Sequence, residues 1–130
     1  MMLVKELALV AAGGATGATL RHLAGIAAFK LLGTGFPYGT MFVNIVGSFA
    51  MGLFIEFLIH RLHGHQDLRL LIATGLLGGF TTFSAFSLDF ATLYERGALA
   101  LAAGYVLGSV VLSILALFAG LHVARAVFAV

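Results

Sequence analysis

The chain has 130 residues, 62% of them hydrophobic and 9% charged, with a mean hydropathy of +1.13, a balance that belongs in a bilayer and not in water. It contains no cysteine, which excludes disulfides, thiolate metal sites and thiol catalysis. The formal net charge of +2 is spread thinly, without the basic run that grips nucleic acid, so no nucleic-acid partner is expected.

A hydrocarbon core of about 30 Å takes about 20 apolar helical residues to cross. Four segments meet that length once short polar breaks are placed, and together they form one all-α membrane domain over residues 1–130. The first, 7–29, carries Arg21 and His22. Hydrophobicity continues behind it to the C-terminus, which reads as a retained span and not as a cleaved signal. Arg21 either snorkels to the interface or projects into an aqueous vestibule where it draws anions. The second span, 40–59, follows the break LGTGFPYG (32–39). Thr40, Asn44 and Ser48 recur there every four residues and stack on one helix face. Glu56 is its only charge and reads as an interfacial residue or a structural partner. The next break, HRLHGHQDLR (60–69), crowds His60, His63 and His65 with metal-like spacing, against which stands the plainer reading of a solvated loop.

The third span, 70–93, contains GGFTTFSAFS at 78–87. Gly78 and Gly79 are poor helix formers, and Thr81 and Thr82 add β-branching and hydroxyls that compete for backbone partners. This predicts a break in the helix. In hydrocarbon a break is tolerated only where protein or a water-filled cavity satisfies the freed groups, and freed carbonyls are hard oxygen donors suited to Na⁺. Past the break, Phe83, Phe86, Ser87 and Phe90 share a face. Aromatic edges carry positive potential and can meet an anion without a full charge in the membrane, although a Phe stripe alone also serves as core packing. Asp89 lies toward the span's end, before the break YERG (94–97). The fourth span, 98–124, repeats the ladder with Tyr105, Ser109 and Ser113, and its only ionisable residue besides that tyrosine is His122. Either ladder alone also suits interhelical hydrogen bonding.

Three GxxxG pairs, Gly13 with Gly17, Gly75 with Gly79 and Gly104 with Gly108, suit close helix packing. Four such spans are too few to surround a pore, so a homodimer is the simplest expectation. An even span number puts both termini on one side, with Lys5, Arg61, Arg69 and Arg125 there against Lys30, Arg96 and the intermediate Arg21. So faint an asymmetry leaves insertion in both directions open.

GGATGATLRH (13–22), GTMFVNIVGSF (39–49) and GLLGGFTTFSAFS (75–87) together resemble the Fluc, or CrcB-type, bacterial fluoride channels, and the resemblance runs through essentially the whole chain. The resemblance implies a non-enzymatic, multi-pass protein of the bacterial inner membrane that exports fluoride passively. It implies an antiparallel, dual-topology homodimer with two pores and a structural Na⁺ held by the carbonyls of Gly78 and Thr81 from both subunits. Phe83 and Phe86 would turn ring edges to fluoride, with Asn44 donating nearby. Tyr105, Ser109 and Ser113 match the polar track, Thr40 its mouth, and Arg21 the vestibule arginine. Ala85, His22 and Asp89 depart from the family pattern, where threonine, an aromatic residue and glutamate are usual. The alternative is a proton-coupled exporter like the small multidrug resistance proteins. Those need a carboxylate within the first span, where this chain has only Glu6 at the edge. A scaffold subunit that transports nothing would have no need of a buried break or donor ladders.

Overall fold

The structure is a computed structural model describing residues 2–128. Its elements are α1 (Met2–Leu32), α2 (Tyr38–Arg61), α3 (Gln66–Leu68) running on into a π-helical stretch (Arg69–Leu77), α4 (Gly78–Phe80), α5 (Phe83–Glu95) and α6 (Leu99–Phe128). Taken with 66–95 as one segment, these make four helices long and apolar enough to cross a membrane. The described residues contain no strand. The all-helical, four-span, multi-pass reading therefore holds.

The helix ends follow local chemistry. Gly97, at φ +78°, follows α5, and the N–H groups of Gly97 and Ala98 return to the carbonyls of Tyr94 and Leu93. That doubly bonded, left-handed cap suits glycine and ends the helix inside the YERG break. Pro37 precedes the first residue of α2, where a missing N–H costs no helical bond. α1 begins five residues before the apolar run, because Lys5 continues the helix and its Nζ meets Asp67 Oδ2 at 3.0 Å.

α1 packs on the segment 66–80, and α6 packs on α2. Both crossings depend on glycine. A Cβ on Gly75 would lie 3.0 Å from Gly13 Cα, and one on Gly79 would lie 2.6 Å from Gly14 O, so the two backbones touch where side chains would separate them. The α2–α6 crossing uses Gly52 and Gly120, where a Cβ on Gly120 would lie 3.2 Å from Gly52 Cα. These two belong to no GxxxG pair, which is why spacing does not reveal them. The pair Gly104 and Gly108 behaves differently: Gly104 has nothing within 4 Å, and Gly108 would meet only the end of Met41. It forms no backbone crossing within the chain.

Glu56 is nearly buried and carries two partners, Arg125 Nε at 2.8 Å from Oε1 and His60 Nε2 at 3.0 Å from Oε2. Of its two sequence readings, structural partner is the one realised, since it ties the end of α2 to the end of α6. His60 accordingly belongs to the last turn of α2 and not to a solvated loop. The chain leaves that helix at Leu62 and turns through His63 and Gly64, both at positive φ.

Candidate functional site: a groove beside Thr81 and Thr82

Of the four residues that composition marks as unfavourable to a helix, Gly78 and Gly79 stay helical. The departure falls at Thr81 (φ −88°, ψ 157°) and Thr82 (φ −152°, ψ 121°), which are extended between α4 and α5. Gly79 is needed for the approach of α1, and the two threonines take the conformation that β-branched residues favour.

The hydrogen bonds around these two residues show how the turn is held. The Thr82 N–H, which in a continuing helix would bond Gly78 O, goes to Asn44 Oδ1 at 2.7 Å, and Asn44 Nδ2 donates to Thr82 O at 3.0 Å. One amide side chain on α2 therefore pins both polar groups of an extended residue. Arg21 Nε donates to Gly79 O at 3.0 Å. The N–H of Ala85, which would otherwise bond Thr81 O, is capped by Thr82 Oγ1 at 3.1 Å. Thr81 Oγ1 and Thr81 N–H both return to Leu77 O. The carbonyls of Gly78 and Thr81 thus lose their helical donors, which go to Asn44 and Thr82 instead.

Beside this turn lies an open groove of about 380 Å³ whose walls include Asn44 and Ser48 of α2, Thr81 and Thr82, Phe83 and Phe86 of α5, and Ser109 and Ser113 of α6. Gly47 lets the interrupted segment close on α2 beside the groove, since a Cβ there would collide with the Thr81 methyl and lie 3.2 Å from the Phe80 ring. The rings of Phe83 and Phe86 are 5.4 Å apart and tilted by 58°. Phe86 is buried, whereas Phe83 is 76% exposed at the open side. The hydroxyls of Ser109 and Ser113 are buried, and neither has a hydrogen-bond partner among the described residues. A serine in a helix normally satisfies its hydroxyl on the preceding turn. Here two consecutive rungs, both on residues that line the groove, have no such partner among the described residues.

The chain matches the family described as CrcB-like protein, Camphor Resistance (CrcB), over residues 8–121. It belongs to that family. Among its relatives is a protein of Mesorhizobium japonicum, 59% identical over 120 residues, covering 92% of this chain and 96% of that one. A protein of Chelativorans sp. is 59% identical over 122 residues (94% and 98%), and one of Agrobacterium fabrum is 54% identical over 123 (95% and 98%). All three bear the name fluoride-specific ion channel FluC. The CrcB-like chain is not an enzyme.

The remaining sequence-derived residues lie outside this groove. Tyr105 is fully buried and its hydroxyl donates to Asp89 Oδ2 at 3.0 Å, with Phe36 packed edge-on against its ring at 5.5 Å and Phe86 at 5.2 Å. Thr40 lines two other clefts, one shared with Asp89 and Arg96, the other with Arg21, His22 and Ala85. The top of each ladder is therefore separated from its lower rungs. Ser87 returns its hydroxyl to Phe83 O, and Phe90 packs on the core, so the lower part of the Phe stripe is structural. Sequence reasoning missed the double Asn44–Thr82 bond and the reach of Arg21 to Gly79. A lone amide in one apolar span and a threonine pair in another were the signals for the first.

Proposed function

We propose that the chain is one subunit of a fluoride-selective channel that lets the ion run passively down its electrochemical gradient, and that the groove beside Thr82 is part of the path. The observation that carries this is the pair of unpartnered, buried hydroxyls on Ser109 and Ser113, residues that line the groove together with Asn44, Phe83 and Phe86. A small anion entering it exchanges water for neutral donors: two hydroxyls, the ring edges and the second N–H of Asn44, since only one is committed to Thr82 O. None of these carries a full charge. Binding strong enough to strip the ion and weak enough to release it is what conduction requires. Chloride, larger and a poorer acceptor, recovers less of its hydration from the same groups.

Two copies complete the site. The groove is open, and Phe83 stands exposed at its edge, so a second surface is needed to close a path. An antiparallel partner accords with the near-even distribution of Lys and Arg between the two sides. The carbonyls of Gly78 and Thr81, deprived of helical donors, form an uncharged hard-oxygen set that fits Na⁺. Bound there by both subunits, the ion would tie the two interrupted segments together. The setting is the bacterial inner membrane, where an inside-negative potential drives the anion out. A proton-coupled exporter is not favoured, because α1 carries no acid beyond Glu6.

Purified protein reconstituted in liposomes is expected to release fluoride and to retain chloride when the two ions are followed in parallel. Equal rates for both refute the selectivity, and no release of either refutes the channel.

A further inference from the structure

A second cleft, of about 370 Å³, shares Thr82 with the groove and is bounded by Arg21, His22, Gly25, Ile26 and Phe29 of α1, Gly39, Thr40 and Val43 of α2, and Thr82 and Ala85. Arg21 and His22 are its only titratable or charged walls. The elements packed against α1 contribute none: α2 supplies a glycine, a threonine and a valine, and the interrupted segment supplies Thr82 and Ala85. The adjoining cleft shares Gly25, Phe29, Gly39 and Thr40 with this one and brings Asp89, Tyr38 and Arg96 to its far side. Arg21 spends its Nε on Gly79 O, which ties the guanidinium to the segment just before the Thr82 turn. His22 is exposed on the same helix. Ala85 offers no side-chain donor there.

We infer that His22 is a proton-operated anion collector: protonated, it joins Arg21 in a two-cation cleft that concentrates fluoride at the entrance to the path, and neutral, it leaves Arg21 alone. This rests on the fluoride-channel reading and adds a regulation to it. Imidazole is the side chain whose charge ordinarily changes between about pH 5 and 8. One added positive charge within several ångströms of an anion in a water-filled cleft raises local occupancy about two- to threefold. The sign is fixed: acid adds the charge, so acid raises the fluoride current. That is also the condition under which neutral HF enters a cell fastest.

The test is fluoride current through the full-length protein in planar bilayers at low fluoride, symmetrically at about pH 6 and about pH 8. Current is blind to neutral HF. The wild-type current is expected to be about two- to threefold larger at the acid pH. His22→Gln should show no such ratio. His22→Lys, charged at both values, should show a raised alkaline current and no ratio. Asp89→Asn should keep the ratio, which separates His22 from the carboxylate across the shared wall. A pH-independent wild-type current, or a His22→Gln protein that keeps the wild-type ratio, overturns the inference and leaves the channel standing. Loss of the ratio in Asp89→Asn also overturns it, by assigning the proton elsewhere. Absence of fluoride current at every pH overturns the channel reading itself.

Discussion

Tyr105 and the pair Ser109 and Ser113 occupy successive rungs of one face of α6, yet they are treated oppositely. The tyrosine hydroxyl has a carboxylate partner and its ring is enclosed by Phe36 and Phe86. The serine hydroxyls are equally buried and have nothing. A buried hydroxyl without a partner costs about 1–3 kcal/mol, and a fold under selection for stability alone would remove two of them by placing alanine there. The difference teaches that periodic spacing of polar residues marks a face but does not divide it. One end of this ladder is committed to holding the helices, and the other leaves its hydroxyls unpaired among the described residues.

Substitutions can sharpen that division, beginning with the residue that both holds the Thr82 turn and lines the groove. Asn44→Asp replaces the donor to Thr82 O by a carboxylate oxygen and puts a negative charge in the groove. Fluoride efflux from liposomes should fall by at least about a hundredfold, because the turn loses a bond and the anion is repelled. Phe83→Ile removes the exposed ring while keeping an apolar side chain, and efflux should drop by about tenfold with the thermal midpoint little changed. Tyr105→Phe strands Asp89 without its donor. It should cost about 1–2 kcal/mol in a detergent unfolding assay, a larger effect on stability than on transport. Arg125→Ala leaves Glu56 with His60 alone. Since Arg125 is 59% exposed, the cost should be only about 1 kcal/mol, with efflux unchanged. If Tyr105→Phe abolished transport with stability intact, the two ends of the ladder would not differ as described.

The four spans were legible because a 20-residue apolar requirement leaves few ways to divide this chain, and the turns at Gly33 and Gly97 fell inside the breaks read from polarity. The α1 crossing was legible from Gly13, Gly17, Gly75 and Gly79. Its counterpart at Gly52 and Gly120 was not, since two glycines far apart in sequence meet only when the helices are docked. Composition located the break within residues 78–82 but did not divide those residues between helix and turn. Helix propensity ranks glycine below threonine, whereas here close approach to α1 keeps Gly79 helical, and the side chain of Asn44, 38 residues away, holds Thr82 extended. The π-helical turns over Arg69–Leu77 have no signal in the sequence that we can identify. Of the candidate site, the residue types were readable. Their division between groove, core and cleft was not, because it depends on which hydroxyl finds a partner after packing.

The claim that matters most is that the orphaned hydroxyls of α6 wait for an anion. The direct measurement is a Ser109→Ala/Ser113→Ala protein assayed for unfolding and for fluoride efflux in the same preparation. Stability is expected to be kept or to rise, since two unsatisfied buried groups are gone, while fluoride efflux falls by about tenfold or more. Efflux at the wild-type rate from a protein of undiminished stability would contradict the account.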